Sequence, residues 1–293
     1  MTLVVGVHPT KDDRSVLELA AALARSSDQD LFIVIVVPAA WSSPLAARTD
    51  PAFETWADET GQRAVARVER TLAESFSDVT ASAAWIAGRS VPGTLIEQAE
   101  SSEAPLIIVG SGSAGPYGRI HVNSTAETLL HSSPISVAVA TRGHRGSTSR
   151  RIGRVTLAFR GDEASRRVLE CTAALCADVH APLRVVTFAV RGKTMYPPSV
   201  SLRSEDDITE SWIQQSEEAQ KEALAGLDTV PDDVECVVAQ GTNWAEAIDA
   251  LAWEAGDVLV VGSSQHRGMS RLFLGSTATK IARNSPVPVI VVP

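Results

Sequence analysis

Leu106-Ile107-Ile108-Val109-Gly110-Ser111 and, about 152 residues later, Val258-Leu259-Val260-Val261-Gly262-Ser263 decide how this chain is read. Each is a short, continuously apolar run that stops at a Gly-Ser turn. Such a run is what a strand covered on both faces looks like. The same offset links other stretches. Val4-Val5-Gly6-Val7-His8 answers to Thr156-Leu157-Ala158-Phe159-Arg160, Ser124-Thr125-Ala126 to Ser276-Thr277-Ala278, and Ser133-Pro134 to Ser285-Pro286. One spacing at both ends of the unit means a duplicated domain. The period is far too long for a solenoid repeat.

Within each unit, strands and helices alternate. In the first, Leu3–Val7, Leu31–Val37, Val79–Ile86, Leu106–Val109 and Ile135–Ala140 read as strands. Helical spacing predicts a helix after Asp12-Asp13, a long one over Phe53–Ser75, and others over Val91–Ala99 and Thr125–Leu130. Residues 38–50 read as a loop. The second unit repeats the plan with strands Val155–Phe159, Leu183–Ala189, Val234–Ala239, Val258–Val261 and Val287–Val292. Its helices are Ala164–Ala177, Ile208–Leu227, Trp244–Glu254 and Thr277–Arg283. Strands joined by helical crossovers imply an α/β fold with a parallel sheet and right-handed connections. The expected domains are 1–141 and 152–293, with 142–151 as a linker short enough to keep them close. Ile135–Ala140 and Val287–Val292 are apolar, and an exposed apolar edge invites pairing. These two last strands are therefore expected to pair with each other.

Composition sets further bounds. Apolar residues make up 44% and charged residues 21%, near globular averages. No apolar run approaches the roughly 18 residues of a membrane span. Met1-Thr2-Leu3-Val4-Val5 leads directly into a strand, so no secretory signal is expected. The net charge of −9 is shared between the halves: 11 Lys+Arg against 16 Asp+Glu in residues 1–145, and 15 against 19 in the rest. Without a basic stripe, neither nucleic acid nor membrane is an expected partner. Cys171, Cys176 and Cys236 form no metal or disulfide pattern and are expected in the core. A reducing cytoplasm is the simplest compartment. Core or interface packing is the default for Trp56, Trp212, Trp244 and Trp253.

Ligands of open parallel sheets bind beyond the carboxyl ends of the strands. The loop after the fourth strand runs over Gly110–Thr125 in the first unit and Gly262–Thr277 in the second. Both end in a Ser-Thr pair that opens a helix, where free N–H groups suit phosphate. Capping alone would select Ser124 and Ser276 equally well. There is no GxxxxGK[ST] loop and no Gly-x-Ser-x-Gly elbow. His8, His121, His131, His144, His180 and His266 are scattered, and no nucleophile–base pair stands out. No catalytic residue and no metal site are expected.

The order strand, Gly-Ser, loop, Gly-Ser-Thr, helix, Ser-Pro, strand resembles the universal stress protein family. The resemblance covers essentially the whole chain as two tandem copies. It implies a five-stranded parallel sheet in order 3-2-1-4-5 with helices on both faces in each copy, and two copies paired through their last strands. Many members bind ATP, on the pattern G-x2-G-x9-G-[ST], with an Asp at the end of the first strand near the nucleotide.

Both copies depart from that pattern. The first has Gly110, Ser113, Asn123, Ser124 and Thr125, with His8 in place of the Asp. The second has Gly262, Gln265, Gly275, Ser276 and Thr277, with Arg160 in place of the Asp. If the replaced glycines need φ > 0, Asn tolerates this fairly well, but Ser and Gln do so poorly. Phe188, the counterpart of Val36, is placed to narrow the second pocket. Three readings follow. The favoured one is a non-catalytic stress-response regulator and protein scaffold, with degenerate nucleotide sites and no cofactor. The second is an ATP or AMP switch that uses mainly the second domain, with Arg160, His266, Arg267 and Arg271 replacing metal charge. The third is a nucleotide-hydrolysing enzyme. A homodimer and an unknown protein partner stay open.

Overall fold

A computed structural model describes residues 1–11, 14–39, 51–190, 202–263 and 274–293, with the side chains of the sixth helix described from Glu210 onward. The first half runs β1 (Thr2–Val7), α1 (Arg14–Ser27), β2 (Asp30–Pro38), α2 (Pro51–Ser75), β3 (Ala81–Gly88), α3 (Val91–Ser101), β4 (Leu106–Gly110), α4 (Ser124–Ser132) and β5 (Ser136–Ala140). The second runs β6 (Arg154–Ala158), α5 (Glu163–Val179), β7 (Leu183–Val190), α6 (Leu202–Ala225), β8 (Val234–Gly241), α7 (Trp244–Asp249), β9 (Asp257–Gly262), α8 (Ser276–Asn284) and β10 (Val289–Val292).

The ten strands form one sheet in the order β3-β2-β1-β4-β5-β10-β9-β6-β7-β8. Each half is parallel, as its βαβ crossovers imply, and has the order 3-2-1-4-5 that the family resemblance implies. The seam is antiparallel: Val139 lies opposite Val289, Ala138 opposite Ile290 and Val137 opposite Val291. All six residues are buried. Burying one such Val or Ile side chain is worth roughly 1.5–3 kcal/mol, so an open edge at either strand would be costly. Alternation along the strands feeds two cores that run through the seam. One contains Val5, Ala138, Ile290 and Leu157. The other contains Val4, Val137, Val291 and Leu259. Helices α1 and α5 lie side by side across the seam on the first face.

Two expectations fail and a third narrows. The helix expected over Trp244–Glu254 stops at Asp249. The chain turns so that the Trp253 indole N–H donates to the Ile248 carbonyl at 2.8 Å, and its ring covers the Arg184 guanidinium at 4.7 Å. The cysteines are not all core residues. Cys176 is buried, and burial pushes its thiol up to about 12. Cys171 and Cys236 are exposed, Cys171 on α5 and Cys236 on β8, which is an edge strand. Trp56 and Trp212 are 45% and 41% exposed, so neither takes the core alternative of the two expected settings.

Candidate functional site

A cleft of about 930 Å³ opens at the carboxyl ends of β1 and β4 in the first half. Its floor is apolar, built from Val34, Val36, Leu95 and Val109. Gly6 is required beneath it, because a Cβ there would come within 2.8 Å of Leu95 Cδ1. Trp56 and Tyr117, the latter 76% exposed, stand among the lining residues.

His8 ends β1 where the family pattern has Asp. Its Nδ1 accepts the backbone N–H groups of Thr10 at 3.1 Å and Lys11 at 3.3 Å. That fixes the neutral tautomer with the proton on Nε2. Burial, then the charges of Lys11 and Arg67, lower the imidazole's pKa. Arg67 on α2 holds the turn by donating to the His8 and Pro9 carbonyls, each at 3.1 Å. His8 thus folds its own loop and offers no carboxylate to a divalent ion.

The loop after β4 is closed on itself. Ser111 Oγ accepts the His121 N–H at 2.7 Å and donates to the His121 carbonyl at 3.1 Å. The Gly112 N–H donates to that carbonyl at 2.6 Å. A Cβ on Gly112 or Gly115 would meet the His121 side chain at 2.7 or 2.4 Å. Close approach, not φ > 0, is what these glycines supply. Ser113, Asn123 and Gly275 are likewise outside the left-handed region, so the expected conflict of Ser113 with positive φ does not arise. The helix cap is also not where it was expected. Asn123, at φ −87°, caps α4 by accepting the Ala126 N–H at 2.8 Å, while Ser124 is the first helical residue. Thr125 lies within the first turn and lines the cleft.

The wall facing the linker was missed in the sequence. Residues Arg142 to Arg145 line the cleft. The Arg142 N–H donates to the Arg119 carbonyl at 3.0 Å, and the Gly118 N–H donates to the Arg142 carbonyl at 2.8 Å. The Arg142 guanidinium donates to the Gly115 carbonyl and lies 4.3 Å from the centre of the Tyr117 ring. Gly143, at φ +73°, lets the chain pass Tyr117, since a Cβ would come within 2.5 Å of that ring. His144, within the linker, is half-buried. Burial pulls its pKa down to about 4, with Glu18 opposing. The visible signal was the basic run Arg142-Gly-His-Arg145, which reads as an ordinary solvated linker until it is placed in space. The same loop reaches the other half: Arg119 donates to the Asn284 carbonyl and pairs with Asp249 at 3.0 Å.

In the second half, Gln265, His266, Arg267 and Arg271 lie outside the described residues. Gly262 ends β9 and packs on α5, where a Cβ would meet Val168 at 2.7 Å. Gly275 starts α8 without any side-chain cap, followed by exposed Ser276 and half-buried Thr277. Ser276, like Ser124, is not the cap. Arg160 is exposed and ion-paired with Asp162, whose other carboxylate oxygen accepts the Ser165 N–H at 2.9 Å. Burial acts to raise the Asp162 carboxyl, but Ser165 and Arg160 outweigh it and the net shift is downward. Phe188 packs edge-on to Trp244, ring centres 6.3 Å apart. Among the described residues, no group of three or more His, Cys, Asp or Glu is placed to hold a metal. None of their helices is long and apolar enough to cross a membrane.

The family model described as the universal stress protein family matches residues 1–141 and 151–293. A universal stress protein of Mycobacterium tuberculosis (strain ATCC 25618 / H37Rv) is 37% identical over 293 residues, covering 100% of both chains. One of Mycolicibacterium smegmatis is 24% identical, covering 99% of this chain and 96% of its own. A putative universal stress protein from Pseudomonas aeruginosa UCBPP-PA14, solved by crystallography, aligns with a TM-score of 0.59 at 16% identity, covering 99% of this chain and 92% of that one. Fold and site thus define a tandem pair of doubly wound α/β units, the first with a cleft at its strand ends. The chain belongs to the universal stress protein family.

Proposed function

We propose that this chain is a non-catalytic stress-response regulator whose magnesium-nucleotide motif is degenerate in both halves. One observation carries the reading: where the family pattern has Gly or Asp, the side chains of Asn123, His8 and Arg160 are engaged by the chain itself. Asn123 Oδ1 takes an N–H of α4 that a phosphate would otherwise take. Asp162 is engaged by Arg160 and by the start of α5. His8 has no carboxylate to offer. In this reading residues 1–141 and 152–293 are the two domains and 142–151 the linker. The β5–β10 seam makes them an intramolecular pair that acts in the cytoplasm on a protein partner.

The test is a calorimetric titration of the full chain with ATP and magnesium, run beside a phosphate-release assay and acid extraction of the purified protein. The expected result is no hydrolysis, no co-purified nucleotide and no magnesium-dependent binding. Magnesium-dependent binding at micromolar levels would defeat the reading. One feature favours the second reading, an ATP or AMP switch in the second half: the start of α8 has no side-chain cap at Gly275.

A further inference from the structure

The sheet has two free ends, β3 and β8, and they are not alike. β8 carries Glu235, which charges that edge. β3 carries no charge, no proline and no bulge, and Ala81–Gly88 pairs with β2 without a break. Edge strands are normally blunted by such devices, because their open backbone groups template pairing. The Leu31 N–H donates to the Thr80 carbonyl at 2.9 Å, and the Ala39 N–H to the Gly88 carbonyl at 3.0 Å. The even-numbered residues of β3 therefore turn their backbone groups toward β2. Ala81, Ala83, Trp85 and Ala87 turn theirs outward. Among the described residues, nothing bonds those outward groups. Beside them α2 and β3 frame a groove of about 410 Å³, with Val65, Ala66, Ala83 and Trp85 in its lining. The cleft at β1 and β4 shares none of these four residues.

We propose that β3 is a dimerisation edge. It pairs with β3 of a second copy of this chain, antiparallel about a two-fold axis through Ala84. Three features favour a second copy as the occupant. The outward residues are symmetric about Ala84. Ala81 then meets Ala87 and Ala83 meets Trp85, in both directions, so every outward N–H and C=O gains a partner. Large also lies opposite small, since the Trp85 ring of each copy stands over Ala83 of the other. Gly61 seats that ring on its own α2, because a Cβ there would come within 2.3 Å of it. The third feature is the seam. There β5 and β10, equivalent strands of two equivalent units, already pair antiparallel, with α1 and α5 side by side. The β3 edge continues the same sheet, and its two α2 helices take the places of α1 and α5. This pairing is independent of what the clefts bind.

The experiment is sedimentation velocity of the full chain between about 1 and 100 μM, the range of a contact of moderate affinity. The expected result is a dimer that grows with concentration. Ala83→Pro removes one outward N–H and no bond to β2, and is expected to be monomeric with an unchanged circular dichroism spectrum. In β8 the Asp233 carbonyl accepts the Leu183 N–H at 3.0 Å, so Cys236 turns its N–H outward. Cys236→Pro is therefore the matched change on the opposite edge and is expected to keep the dimer. The axis is tested by Ala84→Cys, made with Cys171→Ser and Cys236→Ser and oxidised by air with copper–phenanthroline. Residues facing each other at such a site have Cα atoms about 4.5 Å apart, within disulfide reach. A covalent dimer is expected. Ser82→Cys in the same background lies about 13 Å from its counterpart and is expected to give none. A monomer at the highest concentration would overturn the proposal, and so would a dimer that survives Ala83→Pro. A dimer that fails to cross-link at position 84, or that cross-links at position 82, would overturn the axis. If Ala83→Pro does not fold, the two cysteine variants decide.

Discussion

Asn123 and Gly275 hold the same place in the two halves, but only Asn123 caps its helix. Its Oδ1 accepts the Ala126 N–H at 2.8 Å, while α8 begins at Gly275 with no side-chain acceptor. The duplication has thus produced one closed helix start and one open one. An N-cap Asn replaced by Ala costs about 1 kcal/mol, and by Gly a few tenths. Asn123→Ala is expected to lower unfolding stability by about 1 kcal/mol, and Gly275→Asn to raise it by a few tenths. Urea denaturation of both variants checks this. A Gly275→Asn protein less stable than its parent would show that the start of α8 has no room for the cap.

Arg160 and Asp162 form an exposed pair, 62% and 39% accessible at the side chain. Pairs of that kind contribute at most about 1 kcal/mol. Arg160→Ala is therefore expected to change stability little. Because Arg160 is engaged by Asp162, the substitution is not expected to weaken any nucleotide binding, and Arg160→Asp with magnesium is expected to create or improve it. Nucleotide titrations of the wild type and both variants decide. A wild type that binds, and an Arg160→Ala form that binds at least tenfold more weakly, would instead make Arg160 a phosphate clamp.

Arg184 is 2% exposed in β7, as is its ion-pair partner Asp257 at 3.7 Å. Arg154 reaches the same carboxylate at 2.8 Å, and Arg184 also donates to Thr156 Oγ1 and the Ala252 carbonyl. Burial, followed by the like charge of Arg154, lowers the Arg184 pKa. Removing one member of a buried pair strands the other, at a cost of about 3–5 kcal/mol. Asp257→Asn is expected to fall in that range in denaturant melts. Replacing Arg184 with Leu together with Asp257→Asn is expected to cost less, because the fully buried cation goes with its carboxylate, while Arg154, 20% exposed, keeps Glu235 at 3.8 Å and Glu254 at 4.0 Å.

His144 makes the docked linker sensitive to acid. Its folded pKa of about 4 lies below the ordinary value of 6.5. The undocked form therefore binds the proton first. Docking is fully stable above the ordinary value and weakens as pH falls from there toward the folded value. The full shift corresponds to about 3 kcal/mol, and partial exposure of the residue reduces this to about 1–2. The protection of amides over 142–149, corrected for the intrinsic exchange rate at each pH, is expected to fall between about pH 7 and pH 5. The change is expected to vanish in His144→Asn. An acid effect that persists in that variant would assign it to Glu18 or another group.

The duplication, the parallel α/β plan of each half and the apolar seam strands were legible in the sequence, and the strand order came from the family resemblance. The first three rest on a repeated local pattern whose burial the chain must satisfy wherever it folds. Leu106–Gly110 and Asp257–Gly262 have few alternatives to a central strand when both faces are apolar. The position of the candidate loops was legible for the same reason, since ligands of such sheets lie at the strand ends.

What these loops do was decided in three dimensions. Arg142 meets the Gly115 carbonyl from 27 residues away, and Arg119 meets Asp249 from 130. No local periodicity encodes such meetings. The capping of α4 by Asn123 rather than Ser124 depends on φ and ψ at one residue, to which Asn and Ser are almost equally suited. Past the end of α7 the Trp253 ring meets the Arg184 guanidinium, 69 residues away in sequence, at 4.7 Å. Sequence alone determined two copies of one α/β unit. The tertiary structure decided that the linker walls the first cleft, that Arg160 is paired and that α8 starts uncapped, because each depends on which groups approach once the sheet has closed.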